Sequence, residues 1–254
     1  MNARVETLAE SFQRYFSVHF ATTAEQRKDV FKIRYRVYCD EFGYEPADEF
    51  PEHLEHDKFD DNSLHCLITH RGTKRPAGCV RLVTTGASSD GLLPLETYCA
   101  ESLDHEFLAS LNLNRESMCE VSRLAVDGAF RRRATESRTR FGDMDAIDCS
   151  HHERRTFSLI SVAAFLAATS LTELTGRTNV FAMMEPFLPK LLERSGINFR
   201  KVGADMDYHG HRAPYFATTE AALNSMVPEL RALYGDIAHK IKEDFEKQNS
   251  VTPL

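Results

Sequence analysis

Apolar positions spaced three to four apart run through the first residues of the chain. Val5, Leu8, Phe12 and Phe16 fall on one side of a helix over 2–15. "SVHFATT" (17–23) then alternates with the period of a strand. Thr23 can cap a second helix, "AEQRKDVFKIRYRVYCDEFG", with Val30, Ile33, Val37 and Phe42 inward. Residues 44–62 are polar, acidic and marked by proline, so they read as a loop. "SLHCLITH" and "AGCVRLVT" flank the turn "RGTKRP" and predict a hairpin. Short helical pieces fill 91–115, and "SMCEVSRLAV" (117–126) is a fourth strand. An apolar helix over 154–176 stops at Gly176, "NVFAMM" (179–184) is a strand, and "PFLPKLLERSG" is a helix with Gly196 as its cap. Paired strands over 198–218 and an amphipathic helix over 219–246 complete the chain. The order predicts an α/β fold, a mixed central sheet with helices on both faces.

Composition narrows the class. The 254 residues are 42% apolar and 27% charged, which suits a globular protein with a substantial core. We read 1–246 as a single domain, 127–153 as a long mobile loop poor in large apolar residues, and 247–254 as a frayed tail. A net charge of −7 argues against general nucleic-acid binding, because no basic excess is available for phosphates. The six cysteines form no C-x-x-C pair and read as reduced core fillers of a cytoplasmic protein. The charged N-terminus lacks the apolar run of a signal peptide. "LISVAAFLAATSL" (159–171) falls short of the roughly 20 residues of a transmembrane segment. No glycine-rich nucleotide loop and no zinc-ligand spacing occurs, so no metal is expected.

Three polar clusters carry candidate chemistry. Arg34 and Tyr38 share a helix face, with Tyr44 just beyond; a surface arginine stacked on an aromatic would look the same. "EHDKFDD" holds Glu55, Asp57 and Asp60, and a solvated acidic loop is the plainer explanation. Arg81 on one strand accompanies Glu120, Ser122 and Arg123 on the next. Strand alternation puts Glu120 and Ser122 on one face and Arg123 on the other. A buried Glu120 needs a cation or donors, which Arg81 or Arg34 can supply, and a structural ion pair would serve equally.

Taken in order, Arg34-x-x-x-Tyr38, Tyr44, Glu55-x-Asp57-x-Phe59-Asp60, Arg81-Leu82 and Glu120-x-Ser122-Arg123 resemble the signature of the acyl-homoserine lactone (autoinducer) synthases. That resemblance implies the GNAT, or acyl-CoA N-acyltransferase-like, fold. The C-terminal half, "EPFLPKLLERSGINFRKVG" with "YHGHRAPYF", resembles instead the N-acyl amino acid synthases, and especially the acyltransferases associated with PEP-CTERM/exosortase systems. Together these imply an N-acyltransferase that moves a fatty acyl group from a thioester to the amino group of an amino acid or related amine. A lactone synthase using S-adenosylmethionine and a non-catalytic acyl- or lipid-binding module on the same fold are the alternatives.

The resemblance makes Glu120 the base and Ser122 a hydrogen-bond donor to the reacting oxygen or departing sulfur. It makes Arg34, Tyr38, Tyr44, Asp57, Asp60, Arg81 and Arg123 substrate-binding, with Arg123 fixing the acidic loop. GNAT enzymes usually follow the fourth strand with a glycine-rich clamp for the coenzyme A pyrophosphate. Here five arginines and one glutamate occupy 131–140 instead. Arg131, Arg132 and Arg133 are accordingly candidates for docking an acidic acyl carrier protein, whose acyl-phosphopantetheine would be the co-substrate in place of acyl-CoA; a solvated basic loop would look alike. Phe165, Phe181 and Met183 are candidates for the acyl pocket, and a plain core would explain them equally well. His211 and Arg212 in "HGHRAPY" are candidates for the acceptor carboxylate, unless Arg212 pairs with Asp205 or Asp207 at a surface turn.

Overall fold

Local signals in the sequence start and stop the elements that build the sheet. The computed structural model describes residues 6–86, 90–131, 153 and 156–251. Helix α1, Leu8–Tyr15, leads into strand β1, Phe16–Phe20. Thr23 caps α2, Ala24–Arg34, as expected: its hydroxyl accepts from the Gln26 N–H while the Gln26 side chain accepts from the Thr23 N–H. The hairpin forms from β2, Leu64–His70, and β3, Pro76–Thr84. Short helices α3, Pro94–Tyr98, and α4, His105–Ser110, precede β4, Met118–Val126. Helix α5, Leu159–Thr175, ends at Gly176 in the left-handed region at φ 68°, where a side chain would be strained. Strand β5, Asn179–Met184, and helix α6, Phe187–Glu193, follow, and Gly196 beyond α6 also has positive φ, 81°.

Strands β6, Arg200–Lys201, β7, Met206–Asp207, and β8, His211–Thr218, complete an eight-stranded sheet. Its order is β1-β2-β3-β4-β5-β8-β6, with β7 also on β8. Among the described strands only β4 and β5 are parallel. Helix α5 packs with the C-terminal helix on one face, over Val80, Leu82 and Val121; α2 covers Leu67, Cys79 and Ala125 on the other. Gly78 admits this closeness: a Cβ there would lie 2.8 Å from Ile160. No helix among the described residues is long and apolar enough to cross a membrane.

Three expectations are corrected. The helix expected over 24–43 is regular only to Arg34 and continues as a π-helical turn, Tyr35–Glu41, in which the Phe42 N–H reaches back to the Val37 carbonyl. This widened turn keeps Tyr38 buried against β4 while the chain swings out to Tyr44. The expected helix over 219–246 is two, α7, Thr219–Ser225, and α8, Pro228–Val251; extended Met226 and the proline that follows shortly after interrupt them. Helix α8 also runs to Val251, through residues read as a tail from 247. Of the loop expected over 127–153, a 3-10 turn at Gly128–Phe130 follows β4, while 132–152 lie outside the described residues.

Candidate active site

The site begins with a parting of strands. β4 and β5 pair only from Met118 to Glu120 against Asn179 to Phe181. Beyond Glu120 they diverge, and β4 loses its hydrogen-bonding neighbour on that side. A bulge in β4 adds to the distortion: Arg81 pairs with Ser122 and Cys79 with Ala125, so Arg123 and Leu124 together face Val80. Arg123 takes φ 49°, rare for a residue with a side chain. The alternation that sent Arg123 to the opposite face from Glu120 therefore fails. Its guanidinium lies on the Glu120 side, against Glu45 (2.7 Å) and Glu55 (3.2 Å).

A cleft of about 760 Å³ runs through this gap. On the α2 side it is polar, lined by Tyr38, Tyr44, Arg81, Glu120, Ser122, Arg123, Tyr208 and Arg212. On the α5 side it is apolar, with Phe130, Phe157, Phe165, Met183, Leu188 and Leu191. Phe165 and Met183, two of the three acyl-pocket candidates, line this apolar side. Phe181 does not line the cleft; it is buried against Phe216 in the core beneath.

Behind the polar wall lies a buried charge network. Arg34, fully enclosed, grips Asp60 with two parallel bonds of 2.6 and 2.9 Å and donates its Nε to Glu55. Arg81 binds Asp57 at 2.6 Å, Asp60 at 2.9 Å and the Ser122 hydroxyl at 3.0 Å. Asp60 is held well below the usual carboxylate range: burial opposes ionisation, and the Arg34 and Arg81 charges overcome it. His65, enclosed beside Asp60, is pushed down to about 3 by burial and stays neutral. Arg34, Asp57 and Asp60 are therefore neither a surface stack nor a solvated loop. They fix the cleft wall from behind and are absent from its lining.

Glu120 is different. Among the described residues it has no ion pair; Arg34 and Arg81, its expected partners, are engaged by the acidic loop. Its one hydrogen bond there comes from the Leu95 N–H, 2.7 Å away at the start of α3. Burial pushes its carboxyl up to about 8, with that bond, Arg81 and Arg123 only partly offsetting it. Two donors near it remain available among the described residues. Arg81 Nη2 is buried without a hydrogen-bond partner. The Ser122 oxygen accepts from Arg81, which directs its own proton elsewhere.

The β7–β8 hairpin closes the polar chamber. His209 stacks on Tyr44 (5.4 Å between centroids) and Tyr208 (4.3 Å), and reaches Glu45 at 3.2 Å. Arg212 lies over the Tyr44 ring, 4.0 Å from Glu185, with its Nε buried and without a hydrogen-bond partner. It makes no pair with Asp205 or Asp207, the surface-turn alternative. Asp205 is held by Lys201 instead. His211 points away: its side chain is 67% exposed, beside Asp205. Arg131 lies at the cleft rim, paired with Glu41 over the Phe42 ring and only 10% exposed. Arg132 and Arg133 lie outside the described residues. The Leu95 N–H and Tyr208 escaped the sequence reading; a proline opening a five-residue helix and the aromatic in "YHGHR" were their only traces.

Comparison with known proteins agrees with this geometry. Residues 33–140 match the acetyltransferase (GNAT) domain family. No curated protein matches by sequence. Among solved structures, TofI, crystallised with an inhibitor and MTA, has a TM-score of 0.58 at 18% identity, over 85% of this chain and 99% of that one. FeeM, an N-acyl amino acid synthase from uncultured soil microbes, has 0.52 at 12% identity, over 84% and 94%. BjaI, a CoA-dependent acyl-homoserine lactone synthase, has 0.51 at 14% identity, over 88% and 90%. Over most of its length the chain therefore shares the fold of these solved structures, and the stretch 33–140 within it resembles the acetyltransferase (GNAT) domain family.

Proposed function

We propose that the protein is an N-acyltransferase that moves a fatty acyl group from a pantetheine thioester to the amino group of an amino acid or related amine. The observation that carries this reading is Glu120. A buried carboxyl sits at the closed end of the β4–β5 gap, with a pKa of about 8. That value matches an α-amino group, also about 8, so a proton can pass between them at little cost. The pantetheine arm enters the gap, where β4 offers backbone N–H groups that β5 no longer uses. Glu120, ionised, takes a proton as the amine attacks the thioester carbonyl. The oxyanion that forms lies within the field of the free Arg81 Nη2 and the β4 amides. The C–S bond then breaks, Ser122 hydrogen-bonds the departing sulfur, and the proton held by Glu120 passes to that sulfur and restores the carboxylate. The products are an amide and a free thiol. The apolar chamber with Phe165 and Met183 takes the acyl chain.

Arg212 supports an amino-acid acceptor, because a guanidinium fork suits a carboxylate. The likeness of the C-terminal half to exosortase-associated acyltransferases points the same way. Arg212→Lys is expected to raise the acceptor KM about 10- to 100-fold, the cost of a charged hydrogen bond, with the donor KM little changed. Steady-state kinetics with each substrate varied checks this, and equal effects on both KM values would return Arg212 to a structural role.

The donor is the acyl form of a carrier protein, supported by the arginines that replace the glycine clamp. Because Arg131 is turned back to Glu41, the docking charge falls to Arg132 and Arg133. The test incubates the protein with acyl carrier protein thioester or acyl-CoA, mixed amino acids and S-adenosylmethionine, and reads products by mass spectrometry. An N-acyl amino acid is expected, formed faster from the carrier protein. Arg132→Glu with Arg133→Glu is expected to weaken carrier use and flatten its salt dependence while sparing acyl-CoA. Release of methylthioadenosine would mark a lactone synthase. Acyl binding without turnover would mark a lipid-binding module.

A further inference from the structure

We propose that Glu96 and Arg115 form a positioning device for Glu120, holding the Leu95 N–H against its carboxylate. The proposal rests on the reading of Glu120 above only for its consequence in catalysis; the device itself is geometric.

Helix α3 has five residues, too few to orient itself. Its first turn is pinned from outside. The Leu93 N–H donates to Glu96 Oε2 at 2.8 Å. Arg115 then grips Glu96 through two bonds of 2.5 Å, one to each carboxylate oxygen, and donates to the Gly91 carbonyl at 2.6 Å. Both ends of the turn that delivers Leu95 are thus tied to one guanidinium. Arg115 stands just ahead of β4, three residues before Met118, and its own carbonyl accepts from Thr85 at the end of β3. A single residue therefore couples the strand bearing Glu120 to the helix start that donates to it. An exposed ion pair contributes little to stability as a rule. This one is bidentate and shares its carboxylate with a backbone N–H, so its main effect is on direction.

The other groups facing Glu120 do not replace that bond. Arg81 on β3 and Arg123 on β4 act through space, and both are engaged by the acidic loop. Cys99 and Cys119 are neutral thiols, pushed up by burial, and Tyr208 is a neutral phenol pushed up to about 12. The Leu95 N–H is the one hydrogen bond to Glu120 among the described residues. It favours the ionised carboxylate, so losing it must raise the pH at which Glu120 ionises.

The experiment follows the Glu120 carboxyl directly, by 13C NMR of protein labelled at glutamate Cδ, with Glu120→Gln assigning the signal. The wild type should titrate near 8. Arg115→Ala is expected to move the midpoint up by about one to two pH units, the range of a hydrogen bond to a charged group. Arg115→Lys, which keeps the charge and loses the fork, should fall between. Glu96→Ala separates positioning from charge. Removing a nearby negative charge by itself lowers the midpoint, whereas releasing α3 raises it. A rise in Glu96→Ala supports the device. A fall or an unchanged midpoint in that variant, with the fold intact by circular dichroism, overturns it. The titration needs no substrate, so its outcome stands apart from that of the transfer assay.

Discussion

Glu120→Gln is expected to slow acyl transfer severely and, at alkaline pH, to make the protein more stable. Loss of a positioned base should lower kcat by about 10²- to 10⁴-fold, with acyl-donor binding retained. The stability effect follows from linkage. The Glu120 carboxyl titrates near 8 when folded and near the ordinary glutamate value when unfolded. Between those values the folded state binds more protons, so stability falls as pH rises. Its full cost appears only toward pH 8. Gln keeps an acceptor for the Leu95 N–H and carries no charge to bury. The variant's advantage should therefore grow by about 2–4 kcal/mol between pH 5 and pH 8, at roughly 1.36 kcal/mol for each pH unit separating the folded and unfolded midpoints. Denaturant midpoints at the two pH values check it. A variant that stayed fully active, or whose advantage did not change with pH, would remove Glu120 from the centre of the site.

The opposite balance holds behind the cleft wall. Arg34→Met is expected to cost about 3–5 kcal/mol, because Glu55 and Asp60 would keep their burial and lose their nearest cation. For a domain of this size that is a fall in Tm of about 6–20 °C. The sign with pH is reversed. Glu55 and Asp60 are both depressed in the fold, with the Arg34 charge the first force that overcomes their burial. Their contribution is complete above the ordinary carboxylate range and is lost as pH falls below it. The gap between wild type and Arg34→Met should be full at pH 7.5, hold down to about pH 4, and narrow below it. Thermal melts across that range measure it, and a gap independent of pH would mean that Arg34 acts by packing alone. His65, held at about 3 in the fold against its ordinary 6.5, destabilises both proteins as pH falls between those values, so the comparison is read as the difference between them.

The two carboxylates illustrate what was legible. Asp60 and Glu120 both stand out in the sequence as charges inside apolar surroundings, and both were candidates. Their environments make them opposites. Asp60 has Arg34, Arg81 and the loop backbone around it; Glu120 has a single N–H. Nothing in the spacing of "EVSR" distinguishes an ion pair from a base, because the partners lie 25 to 78 residues away and arrive only through the tertiary fold.

Periodicity and punctuation determined the elements. Alternation fixed the strands, the three-to-four spacing fixed the helices, and Thr23, Gly176 and Gly196 fixed several of their ends, because these are interactions within a few residues of the chain. The motif order carried the fold and most of the polar wall of the cleft. Tertiary structure decided the rest. The bulge that turns Arg123 toward Glu55 exists because β4 carries one residue more than β3 opposite it. The pairing of β8 with β5 and β7 leaves Arg212 facing the cleft and His211 facing solvent, a choice that depends on register and not on composition. Phe181 and Met183 have the same character and neighbouring places on one strand, yet only Met183 lies where the strands have parted. Such outcomes are set by what lies across the sheet, and a linear pattern holds no record of it.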